Sequence, residues 1–584
     1  MADEFPKKVI VDGAEDKRQP EESRPLVQAP AGANIVIDGE RIECDITRLE
    51  LFQAVDDHHL LQVRLREVGK VSADEDFGDP KKYTSFLGKS LSLTIKISEI
   101  GIDEELGFIG IVTRVNLENS IDGLNVYTIV AHSPTIVMDG ARHNAFYFEQ
   151  SAGDIIGSIL KKHPITLGRT DATRGQLRFS VQYRETDYAY VMRLAGGSGL
   201  FAFYDGREFR AVKASSADVV DLIWRETLGV FDVGLGTAPS EYSGVAYNYE
   251  QKKTYAKDTK SLPSQTALSE ISRTAPEASK EIYGDSGFSG APRVVADTQS
   301  LDEILQRERS RAVDRMITCS GQSLVPSVAP GHCVRVKGMN KLDGVYWINS
   351  VRHVVDESGK YSNSFKGTPL DTAFPQYKSR RATVTNLQTA VVVDNNDPEK
   401  LGRVKVKFPW NDADESPWVR MVTSHAGSER GIVFIPEVGD EVLVGYEFGS
   451  PDYPIILGAL YNKEESPPGD TGGENNDIKL IITRGGNKIY LSDKDGDEEI
   501  QVAMKDNQNT IVMKASGPSL SIESQGDISI KGKNITIESQ QEFKIKGGTN
   551  LNVESGANYK AKGGAMVEIE GAMVTVKGNP IQLN

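Results

Sequence analysis

LSIESQGDISIKGKNITIESQQEFKIKGGTNLNVESGANYKAKGGAMVEIEGAMVTVKGNPIQLN, the stretch from Leu520 to Asn584, repeats one pattern throughout. Two apolar residues, separated by a single residue, recur every seven to nine positions, and each such pair is called a dyad here. The nine dyads are Leu520/Ile522, Ile528/Ile530, Ile535/Ile537, Phe543/Ile545, Leu551/Val553, Tyr559/Ala561, Val567/Ile569, Val574/Val576 and Ile581/Leu583.

The spacing within a dyad predicts short β-strands. Residues two apart point to the same face of a strand, so each dyad gives a dry face while Ser529 or Thr536 between its members faces the other way. Glycines lie between the dyads and are expected to turn the chain sharply at positive φ. These glycines are Gly526, Gly532, Gly547, Gly548, Gly556, Gly563, Gly564, Gly571 and Gly578.

One copy of this repeat buries too little to fold alone. Two buried side chains per repeat contribute roughly 3–6 kcal/mol, against about 1–2 kcal/mol of backbone entropy for each ordered residue. Three chains wound together close a prism with paired edges, so the repeat predicts an obligate homotrimer with an intertwined triple-stranded β-helix roughly 40 Å long. Its axis residues are expected to be Leu520, Ile522, Ile528, Ile530, Ile535, Ile537, Phe543, Ile545, Leu551, Val553, Val567, Ile569, Val574 and Val576.

A single-chain β-solenoid is the alternative fold for this repeat. Turns of such solenoids usually need about twenty residues to enclose a core, which is more than twice the spacing seen here. Acidic and basic residues are balanced along the stretch, which indicates a solvated surface and no grip on nucleic acid. The trimer is therefore favoured.

Upstream, strand-like alternation and turn signals between Val391 and Asn462 predict a small five-stranded barrel. Four motifs in this region, DPEKLGRVKV (397–406), SPWVR (416–420), PEVGDEVLV (436–444) and ILGALYN (456–462), resemble the VgrG spike proteins of type VI secretion and their relatives in contractile phage tails and extracellular injection particles. A second stretch, QYRETDYAYVMRLAGGSGLFAFY (182–204), is similar to the hub segment of the same family.

Local signals place three helices in the hub region. Ser151 with Asp154 begins a helix that stops before Pro164, and Thr186 or Asp187 begins one that Gly196 and Gly197 end. A third helix is expected to be capped by Ser300 and Glu303.

The resemblance implies a mainly β chain with a fixed order of parts. A flexible leader (1–32) precedes a hub (33–375) of two related β-barrels and a small α+β part, with a polar insertion at about 252–293. An OB-fold barrel (376–462), a linker (463–478) and a hairpin leading into the spike (479–584) follow. In the family, three hubs form a pseudo-sixfold ring on a hexameric tube, and the end of the spike, Asn579, Pro580, Ile581, Gln582, Leu583 and Asn584, seats a PAAR-type tip protein.

Composition agrees with a multidomain protein that needs no cofactor. A chain of 584 residues exceeds one hydrophobic core, and a net charge of -16 argues against broad binding to nucleic acid or anionic membrane. Cys44, Cys319 and Cys333 lack metal-type spacing. Neither a signal peptide nor a membrane-spanning run is found, so any export is expected to use another route. The resemblance implies synthesis in the bacterial cytoplasm and outward delivery on an injection particle.

Four features suggest binding or catalysis, and each has a plainer explanation. Gly284–Gly287 (GDSG), with His132, is similar to a protease nucleophile loop but sits in a polar region expected to be a flexible linker. Asp56 to His59 alternate in direction and are expected to start a solvent-facing strand. Asp493, Asp495 and Asp497 lack the glycine and glutamate positions of a calcium loop, which leaves a structural cation as a lesser possibility. Trp410 and Trp418 are expected in a core or trimer contact.

Taken together, the sequence predicts a non-enzymatic homotrimeric hub and spike. Its expected partners are the tail tube protein, baseplate components, a PAAR-type tip protein and effector cargo, and the target membrane is met only mechanically. A trimeric tail-fibre adhesin or a glycan-active peptidoglycan hydrolase is the alternative. The segment from Lys463 to Asp477 is too short to hold the catalytic domain of a hydrolase. Only Asn584 follows Leu583, so no toxin extension is expected after the spike.

Overall fold

The computed structural model describes residues 29–66, 83–99, 102–119, 125–173, 175–262, 268–284, 287–288, 297–376, 384, 386–411, 414–469 and 471–582. The chain divides into two compact units, Met1–Ser466 and Pro467–Asn584. Strands account for 42% of the chain and helices for 15%, which confirms the expected mainly β class. Among the described helices, none has both the length and the hydropathy needed to cross a bilayer.

The first unit opens with strands, continues with a mixed region and returns to strands. Its N-terminal strands are β1 Ala29–Ile37, β2 Glu40–Arg41, β3 Asp45–Ala54, β4 Leu60–Arg66, β5 Ser90–Glu99, β6 Ile102–Asn119 and β7 Asn125–His132. Next come β8 Arg142–Gln150, α1 Ala152–Leu160, β9 Leu167–Thr170, β10 Leu177–Thr186, α2 Asp187–Gly197, β11 Phe201–Tyr204, β12 Phe209–Val212, β13 Val219–Ile223 and β14 Leu228–Leu235. They are followed by β15 Tyr242–Asn248, β16 Lys253–Asp258, α3 Glu270–Tyr283, β17 Gly287–Phe288, α4 Thr298–Met316, β18 Ile317–Ser323, β19 Cys333–Lys337, β20 Gly344–Val355 and β21 Lys360–Pro369.

Eight antiparallel strands close the first barrel in the order β20-β3-β4-β7-β6-β5-β1-β21, with β21 pairing back to β20. The alternating sequence LSLTIKI in β5 gives this strand one apolar face that lines the barrel interior. The residues of that face, Leu91, Leu93, Ile95 and Ile97, are all at most 1% exposed. They pack with residues of the neighbouring strands around one interior.

A second barrel-like sheet runs β13-β19-β20-β21-β18-β14, so the two barrels share β20 and β21. The first half of β20 pairs with β19, and the second half, from Ser350, pairs with β3. A register shift between Ile348 and Ser350 marks the change, as expected where a bulge bends a strand from one sheet into another. The predicted hub of β-barrels is therefore confirmed, with two strands common to both barrels.

The small α+β part also matches expectation. Ser151 caps α1 and Thr186 caps α2, each accepting a hydrogen bond from a backbone N–H of the first turn. The third helix, α4, differs, because its cap is Asp297, whose carboxylate accepts from the backbone and hydroxyl of Ser300. The sequence pattern predicted Ser300 as the cap, which lies three residues after the observed cap, Asp297.

The polar insertion, where it is described, contains ordered elements. Strand β16 pairs with β15, and helix α3 buries Ser272, Ala275 and Ser279. Ala275 packs against Met316 and Ile317 at the end of α4. Small side chains let a helix of polar sequence lie close to its neighbour, which explains why the composition resembled a linker.

The five-stranded barrel of residues 388–459 completes the first unit. Its elements are β22 Gln388–Asp394, β23 Lys405–Lys407, β24 Arg420–Met421, β25 Ala426–Gly427, β26 Arg430–Gly431, β27 Glu441–Tyr446 and β28 Pro454–Ala459. The sheet order is β23-β22-β27-β28-β24, and β25 and β26 form a separate ribbon. Phe146 and Val181 of the α+β part join the core of this barrel.

The DPEKLGR motif forms a buried ion-pair turn. Arg403 is 1% exposed and donates from Nε and Nη2 to the two carboxylate oxygens of Asp397, at 3.0 and 2.7 Å. The backbone N–H groups of Glu399, Leu401 and Arg403 donate to the same carboxylate. These hydrogen bonds, the one from the Arg403 side chain above all, hold the pKa of Asp397 well below its usual range.

A buried polar chain crosses the first barrel. Gln53 contacts His59 Nδ1 at 3.1 Å through its amide nitrogen and His353 Nε2 at 3.1 Å through its amide oxygen. His353 Nδ1 lies 2.7 Å from the Tyr361 hydroxyl, which accepts from Asn363 at 3.0 Å. Burial lowers the pKa of His59 and of His353 to about 3, so both imidazoles are neutral in the fold.

This chain predicts acid sensitivity with a defined sign. The pKa of each histidine is near 6.5 when unfolded and about 3 when folded. Their contribution to stability is therefore complete above about pH 6.5 and falls as pH drops towards 3, by about 1.4 kcal/mol per pH unit for each histidine. Urea midpoints measured between pH 5 and 7 should show this slope, and the double variant His59→Phe/His353→Gln should flatten it. His425→Gln, on an exposed loop, is the control, and an unchanged slope in the double variant would contradict the assignment.

Removing the carboxylate of the ion-pair turn should destabilise the five-stranded barrel strongly. Asp397→Ala leaves the Arg403 charge buried, which typically costs about 3–5 kcal/mol. Glu399→Ala is the matched control, because Glu399 also contacts Arg403 but is 53% exposed, so about 1 kcal/mol or less is expected. Urea unfolding followed by tryptophan fluorescence measures both, and equal losses would refute the role given to Asp397.

Candidate functional site

The second unit begins with a meander of five antiparallel strands. They are β29 Ile478–Ile482, β30 Lys488–Ser492, β31 Glu499–Ala503, β32 Asn509–Lys514 and β33 Ser519–Ser524. Each strand pairs with the next, so the sheet order follows the sequence. The hairpin expected to lead into the spike is present, as β30 and β31 pair from Lys488/Ala503 to Ser492/Glu499.

Beyond the meander, residues 527–582 form an extended segment, called the tail here. All of these residues are described, and none makes a backbone–backbone hydrogen bond or belongs to a strand. Bends occur every seven or eight residues, for example at Gly548/Thr549, Gly556/Ala557 and Gly564/Ala565. The sequence period is therefore present in the conformation, although one chain supplies no backbone partner for the described tail residues.

The apolar dyads of the tail are exposed to solvent. Ile528 is 56% exposed, Ile530 71%, Phe543 56% and Ile569 72%. Leu520 and Ile522, which sequence reasoning put in the same segment, instead belong to β33 and pair with β32. The remaining residues predicted at the axis are likewise exposed in the single chain: Ile535, Ile537, Ile545, Leu551, Val553, Val567, Val574 and Val576.

The dyad pattern also occurs upstream of the tail, in the strands of the meander. Two rows of apolar side chains cross one face of the sheet in register, and both end at the dyad of β33. Ile500, Val502, Ile511 and Met513 are each 41–44% exposed. The rows are Ile481, Ile489, Val502, Ile511 and Ile522, and Leu491, Ile500, Met513 and Leu520.

Sequence reasoning missed these earlier dyads because their spacing is longer. Ile489/Leu491, Ile500/Val502 and Ile511/Met513 start eleven residues apart, and the interval shortens to eight after Leu520. A hairpin needs additional residues to reverse the direction of the chain, whereas a bend does not. A search for apolar pairs at i and i+2 without a fixed period would have found them.

Gly547 and Gly563 of the tail allow close packing at its bends. None of the nine glycines between the dyads has positive φ, so the expected left-handed turns are wrong. A Cβ at Gly547 would lie 2.5 Å from the carbonyl oxygen of Asn550, and one at Gly563 would overlap the carbonyl of Met566. Glycine is required there because the backbone folds back on itself at the bend.

The histidines of the Asp56–His59 turn are not solvent-facing, contrary to the prediction. His59 is fully buried, and His58 contacts Thr135 Oγ1 at 2.8 Å and Asp139 Oδ2 at 2.9 Å. No set of three or more histidine, cysteine, aspartate or glutamate residues in the described part of the chain is placed to hold a metal ion. In the other acidic candidate, Asp493 pairs with Lys479 at 3.2 Å and Asp497 with Lys494 at 3.6 Å.

The remaining candidates have structural contacts. Gly284 ends α3, while Asp285 and Ser286 lie outside the described residues, and His132 contacts Thr113 Oγ1 on β6 at 2.7 Å. Trp410 packs against Phe146 and Phe408 and donates to Gln388 Oε1 at 2.8 Å, as expected of a core residue. Lys405 Nζ sits over the ring of Trp418, at 5.4 Å from its centre. Of the residues predicted to dock a tip protein, Asn579 to Gln582 are exposed, and Leu583 and Asn584 lie outside the described part.

Comparison with known proteins adds independent findings. The phage tail baseplate hub (GPD) family matches residues 59–359, more than half of the chain, and the type VI secretion system/phage-baseplate injector OB domain matches residues 388–461. The type VI secretion system spike protein VgrG5 of Pseudomonas aeruginosa is 26% identical over 420 residues, 60% of this chain but 51% of VgrG5. VgrG1a of the same organism is 24% identical over 476 residues, 73% of this chain and 71% of VgrG1a. The solved lidded PdpA-VgrG complex of Francisella shares the fold, with a TM-score of 0.55 at 9% identity over 85% of this chain and 80% of that chain.

Neighbouring glycines of the tail offer a matched test of its bends. Gly547→Ala and Gly563→Ala should each destabilise the tail by about 1–3 kcal/mol per chain, because the added methyl group overlaps backbone. Gly548→Ala and Gly564→Ala are the controls, since nothing lies within 4 Å of the added methyl. Thermal unfolding by circular dichroism measures the difference, and equal midpoints within each pair would contradict the bend geometry.

Proposed function

Because the chain belongs to the phage tail baseplate hub family and is a VgrG-like spike protein, we propose that three copies form the hub and the puncturing spike of a contractile injection system. The matched stretch spans about half of VgrG5, so activities of whole relatives are carried over here only as parts of this proposal. The hub would connect the tail tube and baseplate to a rigid spike.

The exposed dyads of the tail carry this proposal. About fifty residues with unpaired backbone and outward apolar side chains would be costly as a free chain, since each unmade hydrogen bond and each exposed dyad forfeits stability. Three copies around one axis supply the missing strands and bring the dyads together. We therefore place the predicted axis residues, from Ile528 to Val576, in the core of a trimeric rod.

The meander faces extend this proposed core upstream along the chain. Their apolar rows reach Leu520 and Ile522, so the axis would continue through Ile500/Val502 and Ile511/Met513. Here each chain pairs its own strands and needs the other copies only to cover one face. The rod would therefore start as three packed sheets and continue as intertwined chains.

The proposed partners bind at the hub and at the C-terminal end of the tail. Three hubs, each with two barrels, would present six barrels to a hexameric tail tube. At the other end, Asn579 to Asn584 would seat a PAAR-type tip protein, and effectors would travel as cargo. Synthesis in the bacterial cytoplasm, assembly at the tip of the particle and outward delivery on contraction complete the proposal, with a mechanical role and no chemistry at the membrane.

The adhesin alternative fits the tail less well. A glycan-binding groove needs aromatic or clustered acidic side chains at outward positions. The aromatic residues of the tail are Phe543 and Tyr559, and both occupy dyad positions. Phe543 is one of the predicted axis residues, which leaves Tyr559 as the single aromatic of the tail that could serve an outward groove.

Charges at the axis should abolish assembly. Ile528→Asp/Ile530→Asp would bring two carboxylates per chain together in an apolar core, where unpaired charges are strongly unfavourable. Native mass spectrometry should show a trimer for the wild type and a monomer for the variant. Ser529→Asp, between the two isoleucines but on the other face, is the control and should remain trimeric. A stable trimer of the double variant would overturn the proposed packing.

A further inference from the structure

The dyad repeat carries a second pattern, formed by charged residues. The residue that directly follows each of the first eight dyads is charged, although only 26% of the chain's residues are. The sign of this charge changes from each dyad to the next. The set, called the charge series here, is Glu523, Lys531, Glu538, Lys546, Glu554, Lys562, Glu570 and Lys577.

The structure gives all members of the charge series one equivalent place. Each member lies two residues before a bend, from Glu523 before the bend at Gln525 to Lys577 before the bend at Asn579. Each member is also exposed. Because side chains alternate along an extended chain, the residue after a dyad points away from the apolar face. The charge series is therefore an outward row at a fixed distance from the bends.

Within one chain, the charge series has no ion-pair partners. None of its members takes part in an ion pair among the described residues, whereas Lys544, between the members of a dyad, contacts Glu542 Oε1 at 3.2 Å. Consecutive members are separated by a bend, so one copy does not bring their opposite charges together. Any partners have to come from another molecule.

The neighbouring outward position shows no such order. The residues between the two members of each dyad point the same way as the charge series. They are Ser521, Ser529, Thr536, Lys544, Asn552, Lys560, Glu568 and Thr575. Charges at either position would keep the surface soluble. The alternation is confined to the place just before the bend, which indicates specific contacts there.

The proposed rod brings opposite members of the charge series together. By threefold symmetry, equivalent strands of the three copies lie at one height on three faces, and each copy moves to the adjacent face after the next bend. Every face therefore stacks a strand of one copy on the following strand of another, roughly 4.8 Å away. Each glutamate then lies between lysines of the other two copies.

The apolar dyads alone do not fix how the three copies align. If one copy slides along its path by a single repeat, dyads still meet dyads, and burial is lost only at the ends. The same slip sets glutamate beside glutamate and lysine beside lysine at every contact of that copy. Like charges directly opposite each other destabilise a sheet. The charge series therefore distinguishes alignments that the dyads leave equivalent.

We propose that the charge series sets the register of the three copies, because each carboxylate pairs with ammonium groups of the neighbouring copies. This inference rests on the proposed trimeric rod and adds the residues that select its alignment. A single exposed ion pair is weak. The preference comes from their number, since a slip of one repeat reverses all the pairs of a copy together.

Zero-length cross-linking of the full-length protein tests these contacts directly. A carbodiimide joins a carboxylate to an amine only where the two groups touch. The wild-type trimer should yield covalent dimers and trimers on a denaturing gel. Peptides from these bands should contain the links Lys531–Glu538, Glu538–Lys546 and Lys546–Glu554.

Two charge reversals of equal net charge test the alternation. Lys546→Glu places carboxylates beside Glu538 and Glu554 of the other copies, and should lower the thermal midpoint of the trimer by about 5 °C. Lys544→Glu, two residues away, is the control and should change it little, because its neighbours in the rod are the uncharged Thr536 and Asn552. The difference should shrink in 1 M salt, where the screening length is about 3 Å.

Inversion of the whole charge series supplies the rescue. Exchanging glutamate for lysine and lysine for glutamate at all eight positions keeps the net charge and every opposite pair. This variant should therefore melt at the wild-type midpoint, although it contains the Lys546→Glu change.

The outcomes separate the register proposal from the proposed trimer. A wild-type trimer that forms no links between consecutive members of the charge series would overturn the register proposal and leave the rod intact. Equal midpoints for Lys546→Glu and Lys544→Glu would do the same, as would an inverted series that melts as low as Lys546→Glu. A wild type that is monomeric would overturn the trimer and the charge pairing together.

Discussion

The described tail, residues 527–582, makes no backbone–backbone hydrogen bond within its own chain, and the rest of the molecule is organised around that constraint. The hub barrels and the five-stranded barrel each enclose a core within one chain. The tail has neither, although its sequence is among the most regular in the chain. The hub therefore encloses its cores within one chain, whereas the order of the tail would come from the proposed trimer.

The meander is intermediate between the hub, which encloses its cores within one chain, and the tail, which does not. Its strands pair within one chain, yet one face carries apolar rows that end at the first dyad beyond the hairpins. Chain reversal costs extra residues, so the interval between dyads shortens where hairpins give way to bends. In the proposed trimer, this gradual change would let three copies meet through preformed sheets before the tails associate, which would lower the entropy cost of closing the rod.

Sequence patterns predicted much of this organisation. Dyads, bends, the caps at Ser151 and Thr186 and the barrel around Val404 and Val442 follow from local periodicity, which one chain reveals directly. Other features depend on long-range neighbours. His59 is buried because Gln53 and His353, from distant parts of the sequence, meet it inside a barrel, and Gly563 is needed because Met566 folds back over it. Helix α3 escaped notice because serines and alanines, which read as linker, are the residues that allow its close packing.

The sharing of β20 and β21 by the two hub barrels has a mechanical consequence. Because each of these strands runs continuously from one barrel into the other, no loop between them is free to act as a hinge, and rotation of one barrel against its neighbour would have to shear a ladder of hydrogen bonds. Axial load applied at one barrel is then carried by covalent backbone into the other. A ring built from such pairs of barrels would transmit axial force with little deformation.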